Sequence, residues 1–227
     1  MSWFSLNNVI QFTPKWATIV DIHNRRQDFM AETNFWFLRG GLSYYIKPNL
    51  RVTAGYGHLW LAPAEGLSNW QDENRFYTEL LFTQKLNTLG LLQRLRVEQR
   101  WQEQLTNDVK TGIRFTNRIR YLLSFTIPVF KGEKKNKLPA LMIADEILLN
   151  FGKQVVYNSL DQNRFFVGIK QNITSTLNFD FGYMNVFQQK TSGNVYDSNN
   201  TLRLFFYYTL NLRKKEIEPT PIHESGD

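Results

Sequence analysis

The chain has no cysteine among its 227 residues, which excludes disulfides and thiolate metal sites. It also has no continuous apolar run near the roughly 18–20 residues that a spanning helix needs, and its mean hydropathy is only −0.39. A membrane protein built of helices is therefore excluded. Histidine is scarce: His23, His58 and His223 are the three, and no spacing joins any of them to a second ligand or a nucleophile. Asp72, Asp161 and Asp197 fall in separate loop-like segments, one carboxylate each, so no metal site is expected, and no cofactor either. Gly40-Gly41 and the isolated glycines form no phosphate-binding pattern; they suit the relief of crowding in a curved wall. The net charge of +7 draws the chain toward anions. However, no compact Lys/Arg patch with interleaved aromatics lies outside strand-like segments, so nucleic acid is not an expected partner.

Aromatics are abundant: 18 Phe, 10 Tyr and 6 Trp, 15% of the chain. Their placement alternates. From Ile113 to Phe125, Arg114, Thr116, Arg118 and Arg120 take one face, while Phe115, Ile119, Tyr121, Leu123 and Phe125 take the other. Asn117 is the exception. A period of two means a strand, and this one pairs an arginine face with a greasy, aromatic face. The pattern recurs along the chain. Repeated alternation of this kind predicts an all-β fold: a transmembrane, antiparallel, up-and-down barrel of about 10 to 12 strands with a polar interior. A soluble barrel or sandwich, with the large apolar side chains in its core and the arginines outside, is the competing reading of the same periodicity.

Strand-like segments run from Trp3 to Phe12, Trp16 to Arg25, Phe35 to Ile46, Leu50 to His58, Arg75 to Lys85, Leu91 to Glu103, Thr111 to Ile127, Leu141 to Phe151, Arg164 to Gln171, Leu177 to Gln188 and Thr201 to Leu212. The segment before Pro14 makes the total odd, against the even-number rule for bacterial barrels. It either pairs at the closure or crosses the lumen, or else one strand has been left unsplit. Short turns are expected near Pro48, Thr88 and Thr174. Longer loops are expected at Leu59–Asn74, Leu105–Lys110, around Asn158 and at Lys190–Asn200. This alternation matches short periplasmic turns and long extracellular loops; the basic connector Lys131–Lys137 is the one departure. Residues 1–212 are read as a single barrel domain. Residues 213–227, with Pro219, Pro221 and Gly226 and no periodicity, are read as a C-terminal periplasmic extension. The opening Met1-Ser2-Trp3-Phe4 shows no basic region followed by an apolar run, so an export signal is expected ahead of this sequence in the native precursor.

The strongest chemical constellation is an ionic one. Arg75 and Glu79 share one strand, Arg94, Arg96, Glu98 and Arg100 the next, and Arg114, Arg118 and Arg120 the third. Consecutive strands adjoin, so these inner faces should meet. Glu146 and Asp180 can assist in neutralising them, while Arg39, Arg51, Arg164 and Lys170 add positive charge. Two roles follow: a structural network of Arg–carboxylate pairs filling a narrow lumen, or a cationic path or pocket for a small anionic solute. Trp16, Trp36, Trp60, Trp70 and Trp101 are candidates for interfacial belts, with ordinary packing as the alternative. A serine (Ser43 or Ser68) with His58 or His23 is the only arrangement from which a membrane-embedded lipid or lipopolysaccharide hydrolase could be built. No catalytic residue is assigned, and whether the chain is an enzyme stays open.

At Leu95-Arg96-Val97-Glu98-Gln99-Arg100 and Phe115-Thr116-Asn117-Arg118-Ile119-Arg120-Tyr121, with Ala144-Asp145-Glu146 and Gly182-Tyr183, the sequence resembles the outer-membrane barrels grouped as domain of unknown function 2490, common in Bacteroidota. The resemblance covers most of the chain. It implies a β-barrel in a Gram-negative bacterial outer membrane, in contact with membrane lipid and lipopolysaccharide. It implies no activity, substrate or catalytic residue. A porin-like path for anions, a hydrolase and a structural or assembly role beside another outer-membrane protein are the functions left to separate.

Overall fold

The computed structural model describes residues 1–63, 65–130, 138–155, 157–190 and 193–212. Eleven strands close into one barrel: β1 (Ser2–Gln11), β2 (Trp16–Gln27), β3 (Glu32–Lys47), β4 (Leu50–Leu61), β5 (Gln71–Leu86), β6 (Leu89–Thr106), β7 (Val109–Pro128), β8 (Ala140–Phe151), β9 (Leu160–Asn172), β10 (Leu177–Gln189) and β11 (Tyr196–Asn211). Every strand pairs with its sequence neighbours, and β1 closes the ring against β11. No helix of the described residues is long and apolar enough to cross a membrane.

The up-and-down barrel is antiparallel everywhere except at its closure. Successive strands in a meander alternate direction, so an odd total leaves the first and last pointing the same way. β1 is accordingly parallel to β11, from Ser2↔Leu202 to Gln11↔Asn211, and antiparallel to β2. The segment before Pro14 thus neither crosses the lumen nor hides a further strand; it is the closing stave. Met1 extends the seam, its amino group donating to the Asn200 carbonyl at 2.9 Å.

The loops expected at Leu59–Asn74, Leu105–Lys110 and Lys190–Asn200 are too long. β4 continues to Leu61 and β5 starts at Gln71, while β6 and β7 meet at a two-residue turn. In that turn both Asn107 (φ 49) and Asp108 (φ 64) take left-handed backbone, the type I′ geometry that suits strand twist and that Asn and Asp tolerate. Polar residues hid these strand ends, because beyond the apolar belt nothing forces one face to be greasy. The Asp108 carboxylate then accepts from the backbone N–H groups of Ser68 and Asn69 at 3.0 and 2.8 Å, tying the β4–β5 loop to this hairpin. The Lys131–Lys137 connector and the 213–227 extension lie outside the described residues.

Side-chain parity sorts inside from outside. On β6, Arg94, Arg96, Glu98 and Arg100 are buried, while Leu95 and Val97 are exposed on the outer wall. The same holds on β7 for Thr116, Arg118 and Arg120 against Phe115 and Tyr121. The apolar side chains are not all outside, however. Trp3, Phe37, Phe166 and Phe205 point inward and are buried; Trp3, Phe166 and Phe205 form with Leu81, Leu92, Leu122 and Met142 an apolar packing inside the ring. A narrow barrel must fill its interior with something, and arginines alone cannot do so without stranded charge. Bulk inside is matched by glycine in the wall. A Cβ on Gly55 would sit 2.5 Å from the Tyr77 hydroxyl, and one on Gly168 would sit 2.6 Å from the Phe166 ring and 2.3 Å from the Phe181 carbonyl oxygen.

Candidate functional site

The inner faces of β5, β6 and β7 do adjoin, and they bring the expected ionic residues together. Glu98 accepts from Arg118 Nε at 2.8 Å and from Arg120 Nη1 at 2.9 Å. Arg120 also reaches Glu146 on β8, at 2.7 Å. Glu146 binds Arg94 at 2.6 Å and, through its other oxygen, Arg164 of β9 at 3.2 Å. Glu79 takes Arg96 Nε at 2.7 Å and stands 3.5 Å from Arg51 of β4. The result is a connected layer of guanidinium and carboxylate groups reaching from β4 to β9 across the lumen. All of its members except Arg164 are buried; Arg164 is half-buried. The expected Arg75 and Arg100 join a second cluster above it, both donating to Glu73 Oε1 at 2.6 Å. Arg114 differs. Its guanidinium donates to the Gln102 side-chain oxygen at 3.1 and 3.3 Å and forms no ion pair among the described residues.

Two members of this interior fall in expected loops. Glu73 is the hub for Arg75 and Arg100, and Asp161 accepts from Arg118 at 2.8 Å. Parity carried the signal: Glu73 lies two residues before Arg75, in phase with it. Asp21 pairs with Arg39 across β2 and β3. Asp180 binds Arg203 through two hydrogen bonds of 3.0 and 2.9 Å and the Tyr207 hydroxyl at 2.7 Å. Among the described residues, eleven buried bases face six buried acids; bases therefore dominate the interior.

This layer divides the lumen. On the side of the longer loops lies a vestibule of about 640 Å³, with Arg96, Arg118 and Arg120 at its base, Arg75, Arg100 and Arg114 on its walls, and Asn69, Gln154 and Lys190 toward its mouth. On the other side lies a cavity of about 40 Å³, between Asn7, Asp21, Arg39, Arg51, Glu79 and Tyr207. That is room for a few water molecules.

The residues considered for hydrolysis do not assemble. His58 is on the outer wall, with Asn74 Oδ1 at 2.8 Å and Asp72 Oδ1 at 3.4 Å from its ring nitrogens. Ser43 faces the lumen and shares a 2.8 Å hydrogen bond with Thr53. His23 is inside, and neither of its ring nitrogens has a hydrogen-bond partner among the described residues. Ser68 is engaged in the β4–β5 loop through its backbone. No Ser–His pair exists among the described residues, and His223 lies outside them. No group of His, Cys, Asp and Glu among the described residues could hold a metal ion.

Of the tryptophans, Trp36 and Trp60 are register partners on the outer wall toward the long loops. Trp101 lies nearby, its ring 5.0 Å from Phe115 and 5.8 Å from Phe76. Trp16 sits at the opposite end, against Tyr44 at 4.9 Å. Trp70 is in the β4–β5 loop rather than on a strand.

A family model described as a protein of unknown function, DUF2490, matches residues 1–197. The chain belongs to the DUF2490 family. The match runs from the closing strand β1 into the start of β11, so it takes in the ionic layer and most of the vestibule of this DUF2490 barrel. No curated protein and no solved structure matches it.

Proposed function

We propose that this DUF2490 protein is a bacterial outer-membrane barrel whose arginine-rich interior binds anionic solute from the outside and does not conduct freely. The observation that carries this reading is the one-sided lumen: a cationic vestibule of about 640 Å³ on the long-loop side, closed below by the Glu79–Glu98–Glu146 layer of paired arginines. Long loops face the exterior in bacterial barrels, so the vestibule faces outward. The short-turn side, where β11 ends and the 213–227 extension begins, faces the periplasm. Membrane residence is supported by the exposed band of Leu80, Leu95, Val97, Tyr121, Ile147 and Phe165 on the outer wall. Trp36, Trp60 and Trp101 near one end and Trp16 near the other suit two interfacial belts.

A through-channel requires the ionic layer and the apolar packing beneath it to part. The refolded barrel in planar bilayers is therefore expected to be silent at rest. Steady, anion-selective conductance would overturn the closed-vestibule reading in favour of a channel. Migration that changes on boiling, with solubility only in detergent, is the expected mark of the membrane barrel; solubility without detergent would defeat it. Among the described residues no Ser–His pair supports a hydrolase. No feature of the wall singles out an assembly partner over lipid and lipopolysaccharide.

A further inference from the structure

Against one wall of the vestibule, buried polar groups stand without the partners that burial demands. Arg25 is 4% exposed, yet no carboxylate lies within ion-pair distance of it among the described residues. Its Nε has no acceptor; its other nitrogens reach only the Gln188 side-chain oxygen at 3.4 Å and the Met1 sulfur. His23 has both ring nitrogens unpartnered, and so has the indole nitrogen of Trp3. All three side chains line the same vestibule, together with Arg164. The two guanidinium groups are placed by the Trp3 ring, whose centroid lies 5.6 Å from the Arg25 carbon and 4.9 Å from that of Arg164. Trp3 is itself fixed edge-on by Phe35 and Phe205 at 5.7 and 5.6 Å.

Buried polar groups are normally satisfied, and a buried cation is normally paired. Here Arg25 stands at the wall of a space of about 640 Å³ with no carboxylate beside it among the described residues, while its Nε, the His23 ring nitrogens and the Trp3 indole nitrogen are sealed behind that wall. Most arginines of this lumen find carboxylates; among the described residues Arg25 and Arg114 do not. The rim above is rich in amides, among them Asn34, Gln71, Gln102, Gln154 and Gln189. Amides both donate and accept, which suits hydroxyl groups. A ligand that satisfies both levels carries an acid group for the floor and several hydroxyls for the rim. The volume is in the range of pockets that enclose small organic ligands.

We infer that Arg25 and Arg164, held by the Trp3 ring, form the anion subsite of a pocket for acidic sugars, in which a phosphate or carboxylate on the sugar pairs with the Arg25 guanidinium and the amide rim takes its hydroxyls. This rests on the outward-vestibule reading above and adds a ligand class and a position to it.

The test is calorimetric titration of the full chain, refolded in detergent, with glucose 6-phosphate, trigalacturonate, maltotriose and inorganic phosphate. The acidic sugars should bind, and both maltotriose and inorganic phosphate should bind at least about ten-fold more weakly. Arg25→Gln, checked for an unchanged boiled-versus-unboiled shift, should weaken the acidic sugars about 10- to 100-fold, the worth of a charge-assisted hydrogen bond. Trp3→Phe, which keeps a ring beneath both guanidinium groups, should weaken them less. Lys110→Gln, on the β6–β7 hairpin and outside the vestibule lining, should leave them within about two-fold. Equal binding by wild type and Arg25→Gln would overturn the subsite and leave the anion-binding vestibule standing. Inorganic phosphate binding as tightly as the sugars would overturn the sugar class. No binding of any acidic ligand to wild type would overturn both this inference and the vestibule reading. If sugar phosphate binds and trigalacturonate does not, the acid is a phosphate; the converse makes it a carboxylate.

Discussion

Glu98→Gln is the most searching perturbation of the ionic layer. The carboxylate is 2% exposed and bridges two guanidinium groups, Arg118 at 2.8 Å and Arg120 at 2.9 Å, with Arg96 3.8 Å away. Glutamine keeps the shape but removes the charge. Its amide oxygen can serve only one side well, and its NH₂ then faces a cation. Removing one member of a buried ion pair typically costs about 3–5 kcal/mol, because the remaining charge is left uncompensated. Here the loss is cushioned: Arg118 retains Asp161 at 2.8 Å and Arg120 retains Glu146 at 2.7 Å. The lower end, about 3 kcal/mol, is therefore expected. The assay is urea unfolding of the refolded barrel followed by tryptophan fluorescence, with the slope required to stay constant. Adding Arg120→Met removes the surplus cation while Glu146 keeps Arg94 and Arg164. The double variant should then be more stable than the sum of the two single losses by about 1–2 kcal/mol. A Glu98→Gln loss under about 1 kcal/mol, or strict additivity in the double variant, would refute the claim that these charges form one interdependent layer. Glu103→Gln is the control. Glu103 pairs with the exposed Lys110 at 2.8 Å on the protruding β6–β7 hairpin, so its loss should not shift the unfolding midpoint.

Gly168→Ala should lower stability by about 1–3 kcal/mol, since its Cβ would meet backbone and the Phe166 ring at once. Gly112→Ala, with nothing within 4 Å, should be neutral in the same unfolding assay; equal effects would show that the glycine floor under the inward rings is not needed. Leu80→Arg, on the outer wall opposite Leu95, should cost about 2–4 kcal/mol of stability in liposomes if that wall meets hydrocarbon. An unaffected folding yield in lipid would argue for a water-facing wall. Trp16→Ala and Trp36→Ala should each slow insertion into liposomes if these rings sit at headgroup level, while Trp70→Ala, in a loop, should not; an identical rate for all three would discard the belts.

Alternation along each segment was enough to assign the fold class, because in a strand the side-chain period leaves no choice but inside or outside. It puts Arg75, Glu79, Arg94, Arg96, Glu98, Arg100, Arg118, Arg120 and Glu146 in the inward phase of their strands, and all nine are buried. It failed at strand ends, where Glu73 and Asp161 passed for loop residues. There polar side chains occur on both faces, and hydropathy no longer reports direction.

What parity could not supply was distance across the lumen. Arg94 meets Glu146 from two strands away, 52 positions along the chain, and that contact depends on barrel radius and strand stagger rather than on any local pattern. The parallel seam of β1 and β11, the inward turn of Trp3 and Phe205, and the unpaired state of Arg25 arise the same way. Each follows from closing eleven strands into a ring of fixed width, which brings together side chains that the linear order keeps far apart.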